Sequence, residues 1–137
     1  MLYSPPAISI SVAMKRRRRG GRPARIVRPE CGKRGFQALQ GYFMNRIISW
    51  LGDRGRAAVV WNESLRGGNL APSAVVQMWM DKNGECARWA NGGGKLIVSD
   101  FYHYYCDYPY AMTPLRKTYH YRPALKEVRP IYQKNIL

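Results

Sequence analysis

The arginine-rich stretch from Lys15 to Pro29 constrains this chain most, because it cannot form part of a folded core. Eight cationic side chains fall within the fourteen residues 15–28, no acidic residue precedes Glu30, and two glycines and two prolines interrupt the run. Such a segment buries too little apolar surface to offset its ordering entropy, so it predicts an extended, self-repelling arm. Guanidinium groups bind phosphate oxygens bidentately, which favours a polyanion as partner. A solvated tail or an import signal is the alternative.

The positive charge is concentrated at the two ends of the chain. The net charge of the 137 residues is +15, divided as +9 in residues 1–35, +1 in residues 36–110 and +5 in residues 111–137. This length has room for one domain. We predict an extended basic N-terminal arm at 1–35, a small body at 36–100 and a Tyr-, Pro- and Lys/Arg-rich C-terminal extension at 101–137. A body of this size gives marginal stability, so we expect a partner to complete it.

Cysteine content and hydropathy narrow the class of protein. The three cysteines, Cys31, Cys86 and Cys106, are odd in number and contain no Cys-x-x-Cys pair, which favours a reducing compartment over a disulfide framework. No apolar run is long enough to predict a membrane span. Residues 1–28 are acid-free and rich in Arg and Ser, the composition of a mitochondrial or plastid transit peptide. We predict a location in the mitochondrial matrix.

One long helix is predicted after the basic arm. Apolar residues recur at helical spacing before Gly52, and we expect this stripe to form the core, dominated by Phe43 and Trp50. Gly41 inside the helix predicts a close contact with another element, since glycine there costs about 1 kcal/mol relative to alanine. The stripe consists of Phe36, Leu39, Phe43, Ile47, Trp50 and Leu51.

Short strands are predicted around this helix. The segment 8–14 alternates apolar and polar residues, and further apolar runs occupy residues 57–61, 75–80, 85–90 and 95–99. Asn83-Gly84 between two of these runs predicts a β-hairpin, with a helix beginning at Pro72 as the alternative. The predicted fold class is therefore α+β, with one long amphipathic helix packed on a small antiparallel sheet and extended basic arms at both termini.

Candidate catalytic and metal-binding groups do not form a familiar pattern. Cys86, His103, Cys106 and His120 lack the spacing of a zinc site. A Cys106–His103 nucleophile pair with Asp100 or Asp107 as orienting group is formally possible, but on a short extended segment these side chains would not converge. Leu96 follows Gly94-Lys95 where a phosphate-binding loop needs a hydroxyl. We predict no catalytic residue, no metal, no cofactor and no small-molecule substrate, and hence not an enzyme.

Two short motifs resemble known families. Arg19-Gly20-Gly21-Arg22-Pro23 resembles the AT-hook, which implies polyanion binding. Lys33-Arg34-Gly35, a helix and the Asp81-Lys82-Asn83-Gly84 turn resemble the accessory-subunit family of respiratory complex I represented by NADH dehydrogenase alpha-subcomplex subunit twelve. That resemblance implies a structural subunit of a membrane complex.

Taken together, these features predict a structural protein of the mitochondrial ribosome. The expected partners are ribosomal RNA and neighbouring ribosomal proteins within a large multi-subunit complex, and the Tyr-rich tail would stack on bases or pack on protein. The alternative is a non-catalytic accessory subunit of a complex I-like respiratory complex. The predicted RNA contacts are Lys15, Arg16, Arg17, Arg18, Arg19, Arg22, Arg25, Arg28, Lys33, Arg34, Arg116, Lys117 and Arg122.

Overall fold

The structure, a computed structural model, describes residues 8–10 and 35–137, with side chains from residue 38 onward. The chain divides into two compact units, residues 1–74 and residues 75–137. The predicted N-terminal arm lies almost wholly outside the described residues, and the predicted domain boundaries stay a prediction.

The first unit contains a long helix and a pair of parallel strands. Helix α1 spans Gly35–Gly52, strand β1 spans Ile8–Ile10 and strand β2 spans Ala58–Trp61. β1 pairs with β2 in parallel, with Ile8 opposite Ala58 and Ile10 opposite Val60. A 3₁₀ helix at Asn62–Gly67 follows β2 and packs against α1. The strand predicted at 8–14 is confirmed over its described part, and the strand predicted at 57–61 is confirmed.

The predicted helix is confirmed, but the face that it buries is not the predicted one. Ala38, Met44, Ile48 and Leu51 are buried, whereas Phe43 is 44% and Trp50 is 54% exposed. Both faces satisfy helical spacing, so periodicity alone could not choose between them. Small residues determine which face is buried, because Ala38 and Gly41 let the backbone of α1 approach its neighbours closely.

Gly41 makes the close contact predicted for it. A Cβ atom at this position would overlap the side-chain carboxamide of Asn69. Asn69 Nδ2 donates to the Ala38 carbonyl at 2.9 Å, and Asn45 Nδ2 donates to the Asn69 carbonyl at 2.7 Å. Asn45 Oδ1 also accepts from the Ala71 N–H at 2.8 Å. These bonds fix α1 against the loop that follows the 3₁₀ helix.

The second unit is a β-α-β arrangement with further helices after it. Strand β3 spans Val75–Met78, helix α2 spans Glu85–Asn91 and strand β4 spans Lys95–Val98. β3 and β4 pair in parallel, with Val75 opposite Lys95 and Met78 opposite Val98. The chain continues with helix α3 at Phe101–Tyr104, helix α4 at Leu115–His120 and a 3₁₀ helix at Pro130–Asn135.

The predicted hairpin at Asn83-Gly84 is wrong, because the segment after it is helix α2. The Asn-Gly pair indicates a residue with positive φ, and Gly84 does have a left-handed φ of 67°. In this chain, however, Gly84 immediately precedes a helix. The Asp81 carboxylate caps α2, accepting from the Glu85 N–H at 2.9 Å and the Cys86 N–H at 3.0 Å. Cys86, Ala87 and Ala90 then bury one helical face.

The C-terminal segment packs back on the second unit and is not an extended arm. The Leu137 N–H donates to the Leu96 carbonyl at 2.8 Å, and the Val98 N–H donates to the Leu137 carbonyl at 3.1 Å. Val128 is buried, and Asn91 accepts from the Arg129 N–H at 2.8 Å. The last residues therefore extend the pairing of β4.

The predicted fold class is wrong in its central feature. Both described strand pairs are parallel, connected through helices, and no antiparallel pairing occurs among the described strands. The adjacent apolar residues Val75 and Val76 were a sequence signal for parallel pairing, and both side chains are buried in the structure. Continuous apolar runs are typical of parallel strands that are covered on both faces, whereas a half-exposed antiparallel strand alternates.

Candidate functional site

The candidate site lies where β3 and β4 end. Trp79 follows β3 directly, and Ser99 and Asp100 follow β4. Backbone bonds continue beyond both strands, with the Ser99 N–H donating to the Met78 carbonyl at 2.8 Å and the Phe101 N–H donating to the Trp79 carbonyl at 2.8 Å. The carboxyl ends of parallel strands are where α/β proteins place their ligand sites.

Five aromatic side chains gather at this edge, and we refer to them as the aromatic cluster. Phe101 lies at its centre, with ring centroids 5.9 Å from Trp79, 5.4 Å from Tyr105, 5.1 Å from Tyr108 and 5.2 Å from Tyr102. Trp79, Phe101 and Tyr105 are half-buried, whereas Tyr102 and Tyr108 are exposed. The cluster thus presents ring faces and phenol hydroxyls to solvent.

A histidine–aspartate pair lies beside the cluster. The Asp100 carboxylate accepts from the Tyr102 N–H at 3.0 Å and lies 2.5 Å from His103 Nδ1, so it caps α3 and orients the imidazole. When His103 is neutral and donates through Nδ1, its Nε2 is left as an acceptor. Of the catalytic arrangement that the sequence made formally possible, the structure brings together Asp100 and His103, while Cys106 is exposed.

Residues of and after α4 hold this pair in place. The Tyr121 ring stacks on His103 with centroids 3.9 Å apart, and Thr118 Oγ1 donates to the His103 carbonyl at 2.5 Å. Burial raises the pKa of the Tyr121 phenol, and the nearby Asp100 carboxylate and Tyr104 raise this pKa further. The segment after α3 is therefore tethered to the candidate site.

The carboxylates of the second unit differ in their availability. Both oxygens of Asp81 bind N–H groups of α2. Asp107 is exposed and lies in the chain between Tyr105 and Tyr108, two residues of the aromatic cluster. A ligand with an apolar face and a hydrogen-bonding rim suits this combination of rings and a carboxylate.

A separate groove occupies the outer face of α1 in the first unit. Its volume is about 400 Å³, and it is lined by Tyr42, Phe43, Arg46, Ile47 and Trp50. The Arg54 guanidinium lies 3.9 Å from the centre of the Trp50 ring and donates to the Trp50 carbonyl at 3.1 Å. The two large aromatic residues that the sequence assigned to the core thus form a surface.

Of the cations predicted to contact RNA, three belong to the described part of the chain. Arg116 and Lys117 lie on α4 and Arg122 follows it; Arg116 and Arg122 are exposed, and Lys117 Nζ lies 5.8 Å from the centre of the Tyr102 ring. The predicted contact residues between Lys15 and Arg34 lie outside the described residues. The role of each of these cations stays a prediction.

Residues 8–10 and 35–137 contain neither a grouping of metal ligands nor a membrane-spanning helix. Within these ranges no three His, Cys, Asp or Glu side chains are grouped so that they could hold a metal ion. No helix in the same ranges is long and apolar enough to cross a membrane.

The sequence interpretation missed Trp79 and Tyr105 as site residues, and it considered Asp107 only as an orienting group for a nucleophile pair. The available signal was positional, because aromatic and acidic residues directly follow apolar runs that end at Met78 and Val98. In an antiparallel sheet such residues would lie at opposite edges. Only the parallel pairing of β3 with β4 brings them to one edge.

Known proteins that resemble this chain in sequence are glycoside hydrolases. A family model described as glycosyl hydrolase family 20, catalytic domain, matches residues 24–135. A β-hexosaminidase of Porphyromonas gingivalis is 35% identical over 105 residues, covering 66% of this chain and 13% of that protein. A β-hexosaminidase of Vibrio vulnificus is 25% identical over 117 residues, covering 78% of this chain and 14% of that protein.

A solved structure shares the fold. The X-ray structure of a Flavobacterium johnsoniae chitobiase matches with a TM-score of 0.55 and 23% identity, covering 72% of this chain and 15% of that chain. The chain thus spans about one seventh of the length of these proteins.

These findings overturn the predicted function. A ribosomal protein, its ribosomal RNA and protein partners, and the alternative of a respiratory-complex accessory subunit are all wrong, since the chain resembles glycosidases. The predictions of no enzyme and of no small-molecule substrate are wrong for the same reason. The ribosomal assignment depended on net charge, which bears on association and not on fold. The chain belongs to glycosyl hydrolase family 20, and residues 24–135 match the catalytic domain of that family.

Proposed function

We propose that this chain is part of a β-hexosaminidase, and that the aromatic cluster and Asp107 bind the hexosamine ring of its substrate. The names of the relatives support this substrate class, since two are β-hexosaminidases and the structural neighbour is a chitobiase. Because the chain spans about one seventh of their length, the proposal concerns its contribution to the site.

The position of the aromatic cluster is the observation that carries the proposal. Trp79 and Phe101 follow two paired parallel strands, and their ring centroids are 5.9 Å apart. A sugar ring has an apolar face of C–H groups and a rim of hydroxyls. Aromatic faces bury the first, and a few convergent polar groups bind the second.

Asp107 is the carboxylate best placed to bind a sugar hydroxyl. Glycoside hydrolysis usually requires two carboxylic acids beside the scissile bond, although family 20 relies on assistance from the substrate. Asp81 is engaged by α2, and Asp100 is engaged by His103 and the Tyr102 N–H. Asp107 is exposed and directly precedes the cluster residue Tyr108 in the chain, so we assign it a binding role.

Titration of the 137-residue chain with N-acetylglucosamine tests this function. Binding is followed by tryptophan fluorescence, with glucose as the comparison sugar. Asp107→Asn should weaken binding of N-acetylglucosamine about tenfold or more, because a hydrogen bond to a charged group is lost. Glu127→Gln, which removes another exposed carboxylate of the same unit, should leave the affinity unchanged.

Two results would contradict the proposal. One is a wild-type chain that shows no preference for N-acetylglucosamine over glucose. The other is an Asp107→Asn variant that binds as tightly as the wild type while its circular dichroism spectrum is unchanged.

A further inference from the structure

We propose that α4 and Arg122 form a cationic rim of the site that selects oligosaccharides carrying a negative group, a sulfate or a carboxylate, next to the hexosamine. This inference rests on the proposed function and specifies its substrate class. The rim is defined by Arg116, Lys117 and Arg122.

The chain segment that contains the rim carries charged side chains of positive sign only. From Tyr108 to Lys126 the chain contains no Asp or Glu, whereas it contains the three cations of the rim and Lys126. Arg116 and Arg122 are exposed, and the described residues record no ion pair for either of them. An anionic ligand would therefore meet an uncompensated positive potential here.

Contacts hold the rim against the aromatic cluster. Thr118 Oγ1 donates to the His103 carbonyl at 2.5 Å, and Tyr121 stacks on the His103 ring at 3.9 Å. Thr118 lies in the last turn of α4, and Tyr121 directly follows the helix. They fix the helix beside α3, so the charges of α4 keep a defined position relative to the site.

Lys117 is the rim residue nearest to the cluster. Its ammonium lies 5.8 Å from the centre of the Tyr102 ring, whose own centre is 5.2 Å from that of Phe101. Lys117 is half-buried, so its stem is supported while its charge faces the ring. A negative group on a sugar that stacks on the cluster would come within reach of this ammonium.

The rim also offers apolar surface for a second sugar. Tyr119 on α4 is 82% exposed, and Tyr110, which precedes α4 in the chain, is 70% exposed. Exposed tyrosines interspersed with cations suit an oligosaccharide that has both ring faces and charge. A single small anion would use only the charge, and a nucleic acid would need no acetamido group.

The test compares affinities of the 137-residue chain for a matched set of ligands at low ionic strength. N-acetylglucosamine 6-sulfate and glucuronyl-N-acetylglucosamine represent the two sources of negative charge, and N-acetylglucosamine is the neutral reference. Glucose 6-sulfate, inorganic sulfate and a short RNA oligonucleotide report binding of charge alone. Lys117→Gln is compared with Lys134→Gln, which removes an exposed lysine of the C-terminal 3₁₀ helix.

We expect at least one anionic hexosamine ligand to bind about three- to tenfold more tightly than N-acetylglucosamine, since one charge-assisted contact is added. Which of the two does so identifies the source of the charge. Lys117→Gln should abolish this preference without changing the affinity for the neutral sugar, and Lys134→Gln should preserve it. The preference should also decline as salt is added.

Three outcomes would contradict the cationic rim, and they have different consequences for the proposed function. Equal affinity for neutral and anionic hexosamines overturns the cationic rim and leaves the proposed function standing. Glucose 6-sulfate, sulfate or RNA displacing the anionic hexosamine at equal concentration also overturns the rim, because charge alone then suffices. Failure of all hexosamine ligands to bind overturns the proposed function together with the rim.

Discussion

At the scale of single residues, Gly41 shows how one missing side chain sets the packing of a helix. The carboxamide of Asn69 occupies the space of a Cβ atom at Gly41 and donates to the Ala38 carbonyl at 2.9 Å. The glycine costs helix propensity, but it permits a hydrogen bond between α1 and a distant loop. A bulky apolar residue here would have displaced the Asn69 carboxamide and lost this contact.

Gly41→Ala should lower the free energy of unfolding by about 1–2 kcal/mol, because displacing Asn69 costs more than the improved helix propensity returns. Urea denaturation measures the effect. Gly52→Ala is the matched control, since no atom lies within 4 Å of its Cβ position, and it should not destabilise the chain. In an Asn69→Ala background, Gly41→Ala should become neutral or stabilising. An equal loss in both backgrounds would show that Asn69 is not the cause.

Tyr121 gives the chain a predictable response to alkaline pH. Burial, then Asp100 and Tyr104, raise the pKa of its phenol above the ordinary value of 10.0. The folded chain therefore holds this proton at pH values where the unfolded chain has lost it. The stability linked to Tyr121 is complete below pH 10.0 and is lost as the pH rises through the folded-state pKa.

Tyr121→Phe should remove one phenol that ionises above pH 10.0 from an ultraviolet pH titration and should flatten the decline of stability above that pH. Tyr119→Phe, at a position that is 82% exposed, is the control and should leave both features in place. If Tyr121→Phe left the alkaline end of the titration unchanged, burial and the nearby Asp100 and Tyr104 would not perturb the ionisation of Tyr121.

At the scale of elements, α2 shows how the same residues support two interpretations. Glu85 to Ala90 was predicted as the second strand of a hairpin, yet it forms a helix whose buried side chains, Cys86, Ala87 and Ala90, are small. The deciding contact comes from outside the segment, because the Asp81 carboxylate accepts from two N–H groups of the first turn. With α2 in place, β3 and β4 pair in parallel.

Asp81→Ala should destabilise the second unit by about 1–2 kcal/mol, because it leaves two amide groups of α2 without their acceptor. Thermal unfolding with detection at the helical circular-dichroism band measures this change. Asp81→Asn should lose less, since one side-chain oxygen remains. Glu127→Ala removes an exposed carboxylate and should have almost no effect. Unchanged stability of Asp81→Ala would show that water replaces the cap without cost.

At the scale of the whole molecule, charge and fold carry separate information. The net charge of +15 and its concentration at the termini led to the prediction of a ribosomal partner, but the match over residues 24–135 is to a glycosidase domain. Long-range charge describes what the surface attracts, and a family is defined by the arrangement of its core and site. The mitochondrial location stays a prediction.

The sequence by itself determined the positions of several elements. It located α1, β2 and β4 within one or two residues, and it indicated the close contact at Gly41, because periodicity and glycine placement are local properties. It did not determine which face α1 buries, since two faces share the same spacing, and it gave the wrong structure for α2.

Only the tertiary structure decided how the strands pair. Parallel and antiparallel pairing use the same short apolar runs, and the choice depends on the connection that lies between them. Here that connection is the helix capped by Asp81, and it places Trp79 and Asp100 at one edge. The site therefore exists through contacts between residues that are far apart in the sequence, which no local pattern contains.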